Sequence, residues 1–242
     1  GYGLHRLHVG AFGSLGLITE MTFRLHPLPE AFRLAVVRCR DGEHAERCLA
    51  GILSGRTQPA MIELVRPLGD DRLAETLRAD DWILVPGYED CREAVDWQCE
   101  HLVKTLDAPV HVLDERASET LHDEISEWPG KPAAVAFKAT MKSSHVAAFL
   151  AWAGERGFAL LSHAANGIVY GRSSDLRSVE AAEDLAAAAE DGGGQILWRS
   201  LPADAKVDRW APSRSDLPVM RRIKHAFDPI GIFSPGRWVD GM

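Results

Sequence analysis

Two hydrophobic periods alternate along residues 34–113. Short runs rich in Val, Ile and Leu, at 34–37, 60–65, 82–85 and 110–113, are typical of buried strands. Between them, residues 43–54 and 89–106 place apolar side chains at helical spacing on one face. The predicted order of elements is therefore βαββαβ.

The same order returns in the second half of the chain, after a linking helix predicted at about residues 116–127. Strands are predicted at 133–138, 158–162, 168–170 and 195–199, and helices at 144–156 and 177–190. This is the order of the ferredoxin-like split unit. We therefore predict an α+β fold in which two ferredoxin-like βαββαβ units share one antiparallel sheet, with helices on one face.

The two ends of the chain follow other patterns. Residues 17–25 alternate in polarity and predict a strand, which the prolines at 27 and 29 end. Residues 217–227 predict a helix that stops at Asp228-Pro229. We place domain boundaries after residues 29 and 211, giving segments 1–29, 30–211 and 212–242.

Composition narrows the class of protein. The chain has 242 residues, of which 46% are hydrophobic, enough for a substantial core. Its net charge of −8, without a basic block, argues against nucleic-acid binding, which needs clustered Lys and Arg. No apolar run reaches the length of a membrane span and no signal peptide is visible, so we expect a cytoplasmic location.

The four cysteines, at positions 39, 48, 91 and 99, include no C-x-x-C pair. The spacing does not favour a zinc or iron–sulfur site. Free cysteines are among the residues most often buried. We therefore expect reduced core thiols and no metal centre.

Three glycines, Gly10, Gly13 and Gly16, stand at three-residue spacing before the predicted strand. Glycine lets the backbone approach a ligand closely, and a loop of N–H groups can hold pyrophosphate oxygens. The spacing alone equally fits a tight turn that leads into a strand. Because the glycines do not open a helix and no Gly-Lys-Ser/Thr follows, neither a Rossmann fingerprint nor a P-loop is present.

The segment GAFGSLGLITE at residues 10–20 resembles the end of the FAD-binding domain in FAD-linked oxidases of the vanillyl-alcohol-oxidase type. The segment IKHAFDPIGIFSPGR at residues 223–237 is similar to the closing motif of the same family. The resemblance implies FAD as cofactor, the two terminal segments as remnants of its binding domain, and residues 30–211 as a cap or substrate domain. It also implies cofactor contacts from Gly10, Gly13, Ser14, Leu15, Gly16, Ile18, Ser234 and Arg237.

No part of the chain matches the N-terminal, pyrophosphate-binding half of that family. The resemblance covers essentially the whole chain but only part of the length of family members. We therefore expect this sequence to be an N-terminally truncated piece of a longer protein.

Residues 162–171, SHAANGIVYG, narrow the resemblance to the smaller FAD-binding subunit of bacterial glycolate oxidase. The implied activity is FAD-dependent oxidation of a small, glycolate-like 2-hydroxy acid. The implied partners are a larger flavoprotein subunit and an iron–sulfur subunit, which would hold the chain at the periphery of the inner membrane. In related proteins that bind a metal at this segment, it also contains an Asp and a second His. Both are missing here, which argues against a metal at this position.

The same segment supplies the candidate catalytic residues. His163 is suited to accept the substrate hydroxyl proton, because imidazole titrates near neutral pH. Asn166 is suited to orient a carboxylate or a hydroxyl, and Arg172 to pair with a carboxylate through its fork of donors. Alternatively, Asn166-Gly167 is only the turn of a hairpin, His163 only ends a strand and Arg172 is a solvated surface residue.

Two other classes of function stay open. The chain is alternatively a non-catalytic subunit that supports a catalytic flavoprotein partner. A third reading, a ferredoxin-like module that binds a small molecule without flavin, requires both terminal motifs to be coincidences.

Overall fold

The computed structural model describes residues 3–68, 72–77, 82–211 and 216–241. The chain forms two compact units. The smaller unit joins the two ends of the chain, Gly1–Pro27 and Asp208–Met242, and the larger unit is Leu28–Val207.

The described helices and strands alternate through the larger unit and are sparse in the smaller one. The helices are α1 (His5–His8), α2 (Gly42–Ser54), α3 (Arg72–Leu77), α4 (Arg92–Thr105), α5 (Glu115–Glu127), α6 (Val146–Gly154), α7 (Ala182–Asp191) and α8 (Leu217–Phe227). The strands are β1 (Ala31–Cys39), β2 (Met61–Arg66), β3 (Trp82–Asp90), β4 (Val110–Val112), β5 (Val135–Thr140), β6 (Ala159–His163), β7 (Ile168–Ser173), β8 (Gln195–Ser200) and β9 (Trp210–Ala211).

The strands of the larger unit lie side by side in the order β4-β1-β3-β2-β6-β7-β5-β8. Each neighbouring pair is antiparallel. The two halves of this sheet meet where β2 pairs with β6, in a register that sets Glu63 opposite His163. The predicted mixture of helices with an antiparallel sheet is confirmed.

The first half of the sheet carries helices on both faces, so the expectation of one covered face was wrong. Leu34 and Val36 of β1 pack in one cluster with Leu121 and Ile125 of α5. Side chains of a strand alternate between faces, so Ala35 and Val37, both fully buried, require cover on the opposite side. Helices α2 and α4 both contact β1 and β3, which accounts for a strand buried on both faces.

The predicted strand at residues 17–25 is absent, so this prediction was wrong. These residues have no regular secondary structure, and their apolar side chains are exposed, with Leu17 at 80% and Phe23 at 70%. A strand requires a neighbour to pair its backbone N–H and C=O groups. The described residues give this segment none, so its strand propensity has no sheet to join.

The cysteines were predicted to be core thiols, and this holds for three of them. Cys39, Cys48 and Cys99 are buried, whereas Cys91 is exposed. Cys91 precedes the first residue of α4 and occupies the N-cap position, outside the buried face of that helix. The prediction of a core thiol was therefore wrong for Cys91.

The smaller unit has its own hydrophobic core, which draws on both ends of the chain. Ala11 and Leu15 are buried together with Trp238 and Val239. Around them lie partly buried side chains from the segment before α8 and from one face of α8: Trp210, Leu217, Met220 and Ile223. None of the described helices is long and apolar enough to cross a membrane.

Candidate functional site

Lys224, on α8, joins the glycine segment to the C-terminal segment. Its buried Nζ donates to the Ser14 carbonyl at 2.7 Å, to the Phe233 carbonyl at 3.0 Å and to the Asp228 carboxylate at 2.5 Å. A lysine ammonium has three donors, and all three are used. The side chain therefore fixes three separate points of the smaller unit around one charge.

Asp228 completes this arrangement at the end of α8. Its two carboxylate oxygens accept the backbone N–H groups of Ile232, at 3.0 Å, and Phe233, at 2.9 Å. Burial acts to raise the pKa of Asp228, but the hydrogen bonds from Lys224 and from the two backbone groups lower it to about 2. Asp228 is therefore the ionised cap that shapes the turn after the helix.

The glycine loop and the C-terminal turn adjoin each other in this unit. Gly10 and Gly13 have φ values of +80° and +72°, a backbone region that other residues rarely adopt. A Cβ atom on Gly13 would lie 3.1 Å from Ser234 Oγ. Within the described residues, no protein acceptor pairs with the backbone N–H of Gly13 or Gly16. The loop thus presents backbone donors next to the second motif.

The residues predicted to contact the cofactor differ in accessibility. Gly10, Gly13, Ile18 and Arg237 are exposed, and Gly16 and Ser234 are partly buried. Ser14 and Leu15 instead point into the unit: the Ser14 hydroxyl donates to the Ala11 carbonyl at 2.6 Å, and Leu15 belongs to the core. Their side chains serve the fold, and cofactor contact by the whole set stays a prediction.

A separate cavity, of about 580 Å³, lies within the larger unit. His163 and Asn166 both line it, together with Glu63, Thr57 and His122. The end of β6 places His163 at its rim, and the 3-10 turn Ala164–Asn166 places Asn166 beside it. The structure therefore brings two of the three predicted catalytic residues to one cavity.

Glu63 holds His163 through the register of β2 and β6. His163 Nδ1 lies 2.7 Å from Glu63 Oε1, and the glutamate side chain is only 4% exposed. The hydrogen bond that His163 donates to Glu63 raises the pKa of His163, and partial burial opposes this rise. Because Nδ1 carries the proton shared with Glu63, Nε2 keeps its lone pair and is suited to accept a proton.

Sequence reasoning missed Glu63, although the residue left a signal. It is the only charged residue within the apolar run Met61 to Val65. A carboxylate at a fully buried strand position requires a partner, since an unpaired buried charge is costly. The residue that supplies the partner lies 100 positions further along the chain and could not be identified without the strand pairing.

Arg172, the third predicted catalytic residue, lies elsewhere. Its guanidinium carbon is 4.8 Å from the centre of the Trp128 ring, and its Nη1 donates to the Trp128 carbonyl at 3.3 Å. It is absent from the residues that line the cavity. The structure therefore does not bring Arg172 together with His163 and Asn166.

The alternative that residues 163–168 form a hairpin holds for the strand pairing but not for a two-residue Asn166-Gly167 turn. His163 ends β6 and pairs with Ile168 of β7, as in a hairpin. The connection spans four residues, 164–167, and only Gly167 adopts a left-handed φ, of +67°. A Cβ there would lie 1.9 Å from the Met141 carbonyl oxygen, so glycine is required. The loop is both a hairpin connection and part of the cavity wall.

A somewhat larger cleft, of about 670 Å³, contains none of the predicted site residues. It is lined by Arg38, His111, Asp114 and Arg116 among others, and the Arg38 guanidinium already donates to the Leu77 carbonyl. No close pair of an acid and a base comparable to Glu63 and His163 is found among its described lining residues. Volume alone does not make it the better candidate.

Comparison with known proteins agrees with these observations. Residues 209–238 match the family model described as FAD linked oxidases, C-terminal domain. Two crystal forms of alkyldihydroxyacetonephosphate synthase are similar to this chain, each with a TM-score of 0.55, at 17% and 16% sequence identity.

These matches extend over 95% of this chain and 48% of each synthase chain, so the chain spans about half the length of the structures it resembles. At this identity the likeness shows the fold. The chain therefore shares a fold with this synthase, and its residues 209–238 match the C-terminal domain model of the FAD-linked oxidases.

Proposed function

We propose that this chain takes part in the FAD-dependent oxidation of a small 2-hydroxy acid such as glycolate. The observation that carries the proposal is the joining of the glycine loop to the C-terminal motif through Lys224. The family match over residues 209–238 falls on the same unit. An acidic chain with a cavity holding a histidine and a carboxylate fits a small-molecule enzyme better than a nucleic-acid binder.

The residues of the smaller unit fit FAD. The exposed glycine backbone at Gly10 and Gly13 would approach the diphosphate, and the N–H groups of Gly13 and Gly16 would donate to it. Ile18, Ser234 and Arg237 would hold the remainder of the cofactor. When bound, FAD would supply the two-electron acceptor that protein side chains lack.

In this proposal His163 is the catalytic base. Its Nε2 accepts the proton of the substrate hydroxyl, while Glu63 holds the ring and stabilises the imidazolium that forms. The side-chain amide of Asn166 orients the substrate carboxylate from the same cavity wall. The raised pKa of His163 matches the role, because a base close to neutral pH transfers protons efficiently.

The proposal extends to architecture and partners. The strand order β4-β1-β3-β2, repeated as β8-β5-β7-β6, supports two ferredoxin-like units joined edge to edge in a cap domain. The partners are a larger flavoprotein subunit and an iron–sulfur subunit, which accept the electrons. The described residues contain no C-x-x-C motif that would hold an iron–sulfur cluster in this chain.

The test is a titration of the purified chain with FAD, alone and with the larger subunit, followed by flavin fluorescence. We expect saturable quenching, and bleaching of the flavin absorption on adding glycolate to the assembled complex. Replacing Arg237 by Gln should weaken FAD binding, whereas the control Arg47→Gln, on the exposed face of α2, should not. No quenching in either preparation would overturn the proposal.

One observation favours the second candidate, a structural subunit without catalysis of its own. No Lys or Arg is among the described residues that line the His163 cavity, and Arg172 is engaged with Trp128. The described lining residues therefore offer no permanent cation for a substrate carboxylate. In that case His163→Ala would leave glycolate oxidation by the assembled complex unchanged, while omission of the chain would prevent assembly.

A further inference from the structure

Three side chains with metal-binding atoms meet between β1 and α2 of the larger unit, and none of them lines the His163 cavity. Cys39 ends β1, and His44 and Cys48 lie one turn apart on α2. All three residues are buried, and both sulfur atoms and one ring nitrogen lie within 4.8 Å of one another. Two thiols and an imidazole are the ligand types that zinc prefers.

The hydrogen bonds of His44 set its tautomer, with the proton on Nε2 and the lone pair on Nδ1. Its Nε2 lies 2.8 Å from the carbonyl oxygen of Asp107, an acceptor only, so Nε2 carries the proton. The lone pair is therefore on Nδ1, where it accepts the backbone N–H of Arg40 at 3.1 Å, so a metal bound at Nδ1 has to replace this hydrogen bond. A histidine that binds a metal commonly donates its other ring N–H to a backbone carbonyl, as His44 does here.

The distances require only a small adjustment. Zn–S bonds of about 2.3 Å and Zn–N bonds of about 2.0 Å in a tetrahedron place two sulfurs about 3.8 Å apart and a sulfur and a nitrogen about 3.5 Å apart. Moving from at most 4.8 Å to these separations takes about 1 Å, within reach of side-chain rotation. A cleft of about 610 Å³ opens onto Cys39 and His44 and gives an ion a path from solvent.

We propose that Cys39, His44 and Cys48 form a binding site for a thiophilic divalent cation, with Zn²⁺ as the natural candidate. Each thiol loses its proton to solvent as its sulfur bonds the metal, and nothing is oxidised or reduced. Three protein ligands leave the fourth position of a tetrahedron to water from the cleft.

Charge favours a divalent ion over a monovalent one. Two thiolates, one neutral imidazole and a divalent cation sum to zero, which suits a buried site, whereas a monovalent ion would leave a net negative charge. Burial raises the pKa of the Cys39 thiol to about 12 and also raises that of Cys48. Both thiols are thus uncharged without metal, and the cluster then packs as ordinary core residues.

The experiment is a titration of the reduced 242-residue chain under nitrogen with Co²⁺, which reports tetrahedral thiolate ligation through its visible absorption, followed by Zn²⁺ competition. We expect one equivalent bound in thiolate ligation. Cys48→Ser and His44→Ala should each weaken binding by about 100-fold or more, since even residues outside the ligand set change metal affinity 10–100-fold. The controls Cys91→Ser, at an exposed thiol, and Cys99→Ser, at a buried one, should bind normally.

A second measurement does not depend on how well the variants fold. In the unmodified chain, Zn²⁺ should slow alkylation of Cys39 and Cys48 but not of Cys99, as read by mass spectrometry. Absence of stoichiometric binding, or equal alkylation of all buried thiols with and without Zn²⁺, would overturn the proposal. FAD is not part of the assay, so its outcome is independent of the flavin proposal.

Discussion

Each unit of this protein contains a buried carboxylate paired with a basic side chain, and the two pairs are built differently. In the smaller unit, Lys224 has its three donors filled, and both oxygens of Asp228 accept backbone N–H groups. In the larger unit, Glu63 Oε2 has no partner among the described residues. His163, the base it contacts, is 37% exposed at a cavity.

This difference indicates what each pair is for. A polar network with every member satisfied makes the surrounding structure rigid, whereas a partly satisfied one costs stability. Lys224 and Asp228 therefore stabilise the turn after α8, and Lys224 also holds this turn to the N-terminal segment at Ser14. Glu63 and His163 keep one oxygen and one ring nitrogen available, which costs stability and is useful for proton transfer.

The largest expected effect is on catalysis by Glu63 and His163, the open pair. Replacing His163 by Ala should lower kcat/KM for glycolate by about 100- to 10,000-fold in the assembled complex, since this is the usual contribution of a general base. The matched control is His122→Ala, because His122 lines the same cavity without a buried carboxylate partner. Equal losses in the two variants would show that the cavity wall, and not the base, is what matters.

The next largest effect is on the stability of the protein when Lys224 and Asp228, the saturated pair, are separated. Lys224→Met keeps the length of the side chain but leaves Asp228 buried and unpaired, with its carboxylate no longer balanced by a charge. We expect the thermal midpoint to fall by about 5–15 °C, given the usual cost of breaking a buried pair and the size of the chain. Circular dichroism measures this loss, and Lys104→Met, in an exposed pair with Glu100, should change the midpoint by no more than about 2 °C.

The two pairs should also respond to pH in opposite directions. The pKa of Asp228 is lowered to about 2, so its stabilisation is full above the unfolded value near 4 and is lost as pH falls from about 4 to 2. The pKa of His163 is raised, so its stabilisation is full below its unfolded value near 6.5 and is lost as pH rises through the higher folded value. The fall of the thermal midpoint between about pH 4 and pH 2 should be smaller in Asp228→Asn than in the unmodified chain, and an unchanged acid slope in that variant would contradict the assignment.

Much of the larger unit could be predicted from hydrophobic periodicity, because its elements are amphipathic or buried. The β2 run and the α2 helix, with apolar Ala45, Cys48, Leu49 and Ile52 on one face, lie close to their predicted bounds. Residues 17–25 also carry a strand pattern, one of alternating polarity, but have no described neighbour to pair with. A local sequence pattern shows that a segment is suited to be a strand. Whether it becomes one depends on a neighbouring strand with which its backbone can pair.

Some residues of the candidate site could be predicted from the sequence, and others could not. His163 and Asn166 were found because they stand in one short segment that resembles a known motif. Glu63 is 100 positions from His163, and only the pairing of β2 with β6 brings the two together. Arg172 was placed near them by closeness in sequence, but it lies four residues into β7 and stacks on Trp128. Arg172 shares a face of the sheet with Ile168, the partner of His163, but four residues along a strand span about 13 Å, which is far enough for a different neighbour.

The smallest change isolates what the Glu63 charge does for His163. In Glu63→Gln, the side chain keeps its shape and can still accept a hydrogen bond from Nδ1, but its negative charge is gone. The pKa of His163 should then fall, because the hydrogen bond and charge of Glu63 raise it while partial burial lowers it.

NMR titration of the imidazole protons measures this shift, with His122 as an internal control, and the acid limb of the kcat/KM profile should move to lower pH with it. A His163 titration identical in the two proteins would show that Glu63 does not act on His163 electrostatically. The open pair would then be a structural contact like the one made by Lys224 and Asp228.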